Sequence, residues 1–102
     1  MTGIKNRNRG KATEKAIADL MGGKRLGILG KVDVETDYFS IEVKDRVKSA
    51  AHGYMDQAIR HSGDKTPMVI IHKTNSRHDS DLVCLRLCDF QDWFDLRRGS
   101  DG

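Results

Sequence analysis

Proline is nearly missing from this 102-residue chain: Pro67 is the only one, which excludes an extended polyproline segment or a proline-rich linker. Cysteine is scarce too. Cys84 and Cys88 are the only two, too few for the disulfide framework of a small secreted domain. Their Cys-x3-Cys spacing, with no second cysteine pair, is a poor zinc pattern. On one strand they would share a face ~13 Å apart, at ~3.3 Å per residue, too far to bridge, so they are expected to be reduced, packed thiols. No apolar run approaches the roughly 18 residues of a membrane span, and the N-terminus lacks the apolar core of a signal peptide. The expectation is a soluble, cytoplasmic protein with no membrane partner. There is no internal repeat and no low-complexity segment.

What is there is a folding composition. Hydrophobic residues make up 37% and charged residues 32% of the chain, a core-forming fraction with a heavily solvated surface. Its length suits one domain, since single domains typically run to roughly 100–150 residues. A net charge of +3 is a modest excess, but its distribution is uneven. Lys5, Arg7, Arg9 and Lys11 precede any acidic residue, and Arg97 and Arg98 lie near the other end, so both termini offer cations to a polyanion. The expected organisation is a flexible basic arm over residues 1–8, one domain over 9–98 and a frayed end over 99–102.

Along the chain, Ala12, Ala16, Ile17, Leu20 and Met21 fall on one helical arc from about Lys11, and Gly22-Gly23 supplies the stop. Glu14 lies at the margin of that arc. Lys24 to Gly30, with Leu26, Ile28 and Leu29 between glycines, predicts a first strand, Gly27 and Gly30 permitting bends. Ala50, Ala51, Tyr54, Met55, Ala58 and Ile59 mark an amphipathic second helix closed by Gly63, with Gln57 and His61 at one border of its apolar face. Pro67 introduces the apolar run Met68 to His72, which predicts a central strand buried on both faces. Lys73 to Ser80 is a polar loop carrying Lys73, Arg77 and His78, suited to gripping a phosphate backbone or to simple solvation. Asp81 to Cys88 predicts another strand, and Asp89 an N-cap for a last helix with Phe90, Trp93 and Phe94 as its apolar side. The order is helix, three strands, helix, two strands, helix, which predicts an α/β sandwich with a mixed sheet.

The stretch Lys31 to Lys44 carries the chemistry. Phe39, Ile41 and Val43 alternate with Tyr38, Ser40, Glu42 and Lys44, so Glu42 and Lys44 share a strand face. Val32 and Val34 alternate with Lys31, Asp33 and Glu35, and the short polar segment Glu35-Thr36-Asp37 turns the chain back as a hairpin. Asp33 and Glu42 then meet on one side of the sheet. Two anionic oxygen ligands beside a lysine amine suit a hard divalent cation and a water attacking phosphate, the chemistry of a metal-dependent nuclease. The competing reading of such a spacing is a solvated strand face of alternating charge. Glu35 shares the alternation phase of Asp33, and Asp37 lies in the turn. Asp33, flanked by Val32 and Val34, is preferred as first ligand.

Taken in order, Arg9-Gly10-Lys11-Ala12-Thr13-Glu14, Gly30-Lys31-Val32-Asp33-Val34, Ile41-Glu42-Val43-Lys44 and the helix leading into Pro67 to His72 resemble the PD-(D/E)xK nuclease superfamily. Within it, the chain is similar to the small archaeal-type Holliday junction resolvases, which also occur in phages. The resemblance covers about Arg9 to Leu87. It departs in having Val32 where the superfamily has proline, and in a shorter stretch between Asp33 and Glu42.

The resemblance implies a restriction-endonuclease-like sandwich with a mixed five-stranded sheet flanked by helices. It also implies an intracellular enzyme of a bacterial, archaeal or phage-encoded system that cuts four-way DNA junctions by phosphodiester hydrolysis as a homodimer. Carried over, the site is Glu14, Asp33, Glu42 and Lys44. Asp33, Glu42 and the Val43 backbone carbonyl would hold Mg²⁺, with Mn²⁺ able to substitute, while Lys44 orients water or stabilises charge and Glu14 completes the metal shell or the layer outside it. Arg7, Arg9, Lys11, Lys73 and Arg77 would contact DNA phosphates, and Gln57 is a further site candidate. The alternatives are a less structure-selective nicking or repair nuclease on the same fold, and a catalytically silent DNA-binding protein.

Overall fold

The structure, a computed structural model, describes residues 2–27 and 32–99, and the side chains within 8–27 and 32–95. The expected element order holds. Helix α1 (Thr2–Met21) is followed by β1 (Lys24–Arg25), β2 (Val34–Glu35) and β3 (Ser40–Ile41), then by α2 (Ala50–Ser62), β4 (Val69–Ile71), β5 (Leu82–Cys84) and α3 (Leu87–Gly99). These elements fall into two compact units, Met1–Val47 and Lys48–Gly102. Among the described residues no helix is long and apolar enough to cross a membrane.

In the first unit α1 begins well before Lys11, the expected start, because residues 2–10 hold no proline and only two glycines, Gly3 and Gly10, each of modest cost. It stops where Gly22 takes a positive φ of 67°, and the Gly23 N–H donates to the Ala18 carbonyl at 2.8 Å, satisfying one of the last helical acceptors. The covered stripe is Gly10, Thr13, Glu14, Ile17, Ala18 and Met21, rotated from the arc of larger apolar residues: Ala18 is buried while Leu20 is exposed. Ala18 is small enough to let α1 approach β1 and β2, on which it packs.

The three strands form one antiparallel sheet in the order β1-β2-β3. Val34, fully buried, pairs with Arg25 on one side and Ile41 on the other. The hairpin turn is Thr36 to Phe39 rather than Glu35 to Asp37. Thr36 N–H donates to the Phe39 carbonyl at 2.9 Å, and the Thr36 hydroxyl accepts from the Tyr38 and Phe39 amides at 3.1 and 2.9 Å. The strands are shorter than the alternation suggested. β1 ends at Arg25, and Gly27 bends the chain with φ 67°, while Ile28, Leu29, Gly30 and Lys31 lie outside the described residues.

In the second unit α2 packs on β4, which forms an antiparallel pair with β5. Met55 is buried and Ala51, Ala58 and Ser62 half-buried, but Tyr54 and Ile59 are exposed, so the covered stripe is narrower than the apolar pattern. β4 is not buried on both faces. With β5 as its strand partner and α2 as the helix packed on it, Val69 and Ile71 are half-covered and Ile70 is 53% exposed.

The strand expected over Asp81 to Cys88 ends at Cys84, and α3 begins at Leu87. Phe90 N–H donates to the Arg86 carbonyl at 3.0 Å, and Arg86 Nε donates to Asp89 Oδ2 at 2.8 Å. Asp89 is therefore a first-turn acid rather than the N-cap, and the hydrogen bond and charge of its carboxylate raise the Arg86 guanidinium above its ordinary value. Phe90 stacks on Phe94 with centroids 5.5 Å apart and tilts against Trp93, as the apolar spacing implied. Cys84 and Cys88 are free thiols, one ending a strand and the other on a helix, not on one strand face. The five strands make an α/β chain with a three-stranded and a two-stranded sheet, and every pairing among the described residues is antiparallel. Strands of two or three residues offer few main-chain groups for wider pairing.

Candidate functional site

The hairpin brings Asp33 to Glu42. Asp33 N–H donates to the Ile41 carbonyl at 3.2 Å, and Asp33 Oδ2 accepts the Val43 N–H at 2.7 Å, so Asp33 is held alongside Glu42, between the residues flanking it. The register points the same way, since one step beyond the Val34–Ile41 pair the facing residues are Asp33 and Glu42. The Asp33 carbonyl also accepts from Leu26 N–H at 3.1 Å. Two main-chain hydrogen bonds and one from a main-chain amide to its carboxylate thus fix this aspartate from both neighbouring segments. Glu42 and Lys44 share a face as the alternation requires, and Lys44 Nζ lies 3.1 Å from Glu42 Oε1. Both heads are more than half exposed, so the pair adds little stability and stays open to a ligand.

Glu14 has a different partner. Arg25 Nε donates to Glu14 Oε2 at 2.7 Å, linking α1 to β1, with the Glu14 side chain only 19% exposed. Among the described residues, Glu14, Asp33 and Glu42 do not bring three carboxylate oxygens within 4.8 Å of one another. Arg9 and the following turn of α1 are tied to the segment after β3. Thr13 Oγ1 donates to Asp45 Oδ2 at 2.5 Å, with the Arg9 carbonyl 2.9 Å away, and Arg9 Nε lies 3.3 Å from Asp45 Oδ1. Lys11 is exposed. The side chains of Arg7, Arg97 and Arg98 lie outside the described residues, as does Lys31. Glu35 and Asp37, the alternative first ligands, are exposed at the end of β2 and in the turn.

In the second unit Lys73 is exposed at the start of the loop between β4 and β5, where Ser76 N–H donates to its carbonyl at 3.0 Å. Arg77 is exposed and lies 3.4 Å from Asp79 Oδ2. Gln57 is exposed on α2.

Sequence reasoning missed Arg25 and Asp45 as partners, and placed His78 in a loop suited to phosphate without joining it to His72 and Asp81. His72 Nδ1 lies 2.6 Å from Asp81 Oδ1, and His78 Nδ1 3.0 Å from Asp81 Oδ2. A usable signal was there: a histidine after one strand, a second in the loop, and an aspartate before the next strand.

Compared with known protein families, curated proteins and solved structures, the chain matches none.

The donor chemistry of the hairpin can be tested against Mg²⁺. Asp33 and Glu42 are hard oxygen donors on residues that face each other in the hairpin, one fixed by the main chain and the other exposed, which fits a cation that keeps several waters and takes one or two carboxylates. Glu14, engaged by Arg25, fits an outer position better than direct ligation.

Proposed function

We propose that this chain is a metal-dependent endodeoxyribonuclease that resolves four-way DNA junctions as a homodimer, in the manner of the archaeal-type resolvases it resembles. The observation that carries this reading is the hairpin in which the Val43 amide fixes Asp33 beside Glu42, with Lys44 in contact with Glu42. The finer fold that goes with such an enzyme is the restriction-endonuclease-like sandwich with a mixed five-stranded sheet.

Asp33 and Glu42, with the Val43 carbonyl, would hold Mg²⁺ or Mn²⁺. Bound there, the ion supplies a Lewis acid for the phosphoryl oxygen and lowers the pKa of water. The chain's own groups do the rest. Lys44, on a flexible stem and more than half exposed, can leave Glu42 to place its ammonium against a phosphate oxygen. Arg25 holds Glu14 in one orientation at the α1–β1 contact. One small subunit carries one hairpin site, so paired cuts in opposed strands call for two subunits, and self-association would also add stability to a domain of this size.

A cleavage assay on a synthetic four-way junction, with Mg²⁺ and with chelator, tests the proposal. Paired nicks in opposed strands only with Mg²⁺ are expected. Equal cutting of linear duplex and flap would point instead to a nicking or repair nuclease, and junction binding without any cutting to a catalytically silent DNA-binding protein.

Arg7, Arg9, Lys11, Lys73 and Arg77 are assigned to phosphate contacts. Lys11 and Lys73 give the cleaner test, because Arg9 and Arg77 already face carboxylates. Lys11→Glu and Lys73→Glu are each expected to weaken junction binding regardless of sequence and to lower the salt slope by about one. Fluorescence anisotropy across a salt series reads both, and unchanged affinity at low salt in either variant would remove that lysine from the interface.

A further inference from the structure

We propose that His72, His78 and Asp81 form a binding site for a divalent transition metal, with Zn²⁺ the best fit. The geometry starts from the β4–β5 register. Ile71 pairs with Leu82, so His72 and Asp81, one residue further out, face each other across the open end of the ribbon. Two donors on facing strand ends make a chelate that the ladder itself positions.

The third donor arrives through the loop. Ser76 N–H donates to the Lys73 carbonyl at 3.0 Å, Asn75 adopts a positive φ of 68°, and a 3₁₀ turn over His78–Ser80 is closed by the Asp81 N–H on the His78 carbonyl at 3.0 Å. Ser80 reinforces that turn, its hydroxyl donating to the Arg77 carbonyl at 2.8 Å. His78 is thereby folded back over Asp81, and the two imidazoles lie with centroids 4.3 Å apart.

One donor atom from each residue lies within 4.8 Å of the others. The two Nδ1 atoms address different oxygens of one carboxylate, at 2.6 and 3.0 Å. Tetrahedral Zn²⁺ with bonds of about 2.0–2.1 Å separates its donors by about 3.3 Å, so the ion fits after the closer pair opens by about 0.7 Å. Two imidazole nitrogens with one carboxylate select Zn²⁺, Co²⁺, Ni²⁺ or Cu²⁺ over Mg²⁺, which prefers oxygen throughout.

Asp81 is 14% exposed and His78 84%, so one ligand is anchored and one faces water, leaving room for solvent at the remaining position. The ion would join the two ends of the loop that carries Lys73 and Arg77. This site does not depend on the nuclease assignment, and its test uses no DNA.

Calorimetric titration of the full chain with ZnCl₂, and visible absorption on adding Co²⁺, read binding directly. One equivalent of Zn²⁺ is expected, with a Co²⁺ spectrum that shows d–d bands and no thiolate charge transfer. His78→Ala changes an exposed side chain and is expected to leave the circular dichroism spectrum intact while weakening Zn²⁺ binding roughly tenfold or more. Asp81→Asn should do the same. His52→Ala with His61→Ala, and Cys84→Ser with Cys88→Ser, should leave binding unchanged. No Zn²⁺ binding by the unaltered chain, equal binding by His78→Ala, or loss confined to the cysteine variants would each overturn the assignment.

Discussion

Glu42→Gln and Asp33→Asn are each expected to reduce Mg²⁺-dependent junction cleavage by on the order of 10²–10³-fold or more, the range seen when one transition-state-stabilising group is removed. Folding and junction affinity should stay close to those of the unaltered chain. For Glu42 the reason is exposure. Its side chain is 58% exposed and, among the described residues, its ion pair is the one with Lys44, so its loss falls within about 0.5 kcal/mol.

For Asp33 the reason is the geometry of the acceptor. An asparagine oxygen can still take the Val43 N–H, so the hairpin link survives while the negative charge is lost. Asp33→Ala is the informative contrast, because it leaves the Val43 amide without that acceptor and should cost about 1–3 kcal/mol in stability as well as activity. Thermal unfolding alongside a gel-based cleavage assay separates these outcomes. Full cleavage by both charge-neutral variants would remove Asp33 and Glu42 from the chemistry.

The second large effect is on folding. A Cβ added at Gly23 would lie 2.4 Å from the Glu35 carbonyl oxygen and 2.8 Å from Thr36 Cγ2, and the first of these is main chain that cannot swing aside. Gly23→Ala therefore forces β1 and β2 apart just after the helix stop, at an expected cost of about 1–3 kcal/mol. In a domain of this size that lowers Tm by roughly 4–8 °C per kcal/mol. Gly10→Ala is the opposite case. A Cβ there meets nothing within 4 Å, and alanine in a helix interior should add roughly 0.5–1 kcal/mol. Equal Tm values for the two variants would contradict the close approach of Gly23 to β2.

Local pattern made much of this fold legible. Alternation around Val34 and Ile41, with a short polar segment between, was enough to set the hairpin and place Glu42 with Lys44. Helix stops were readable because Gly22 and Gly63 both take positive φ. Pattern failed where burial depends on what lies across the chain. Met68 to His72 had the apolar run of a central strand, yet among the described residues β4 pairs with β5 in a two-stranded sheet and Ile70 is left open. The covered face of α1 departs from its apolar arc because close packing selects small Ala18 over Leu20, which no hydrophobicity ranking anticipates.

The engagement of Glu14 by Arg25 and of Arg9 by Asp45 joins residues distant in sequence, so spacing carried no sign of either. His72, His78 and Asp81 were hidden for a related reason. Their proximity arises only after two strands pair and the loop between them folds back.

The Val43 amide ends on a side chain of the very pair assigned to the reaction, and this ties quality control to chemistry. Were β3 to slide along β2 by a single position, that amide would lose its carboxylate and Glu42 would turn to the opposite side. On the proposed reading, a wrongly zipped molecule would lose the paired carboxylates as well as stability, so activity and the native alignment would be lost together.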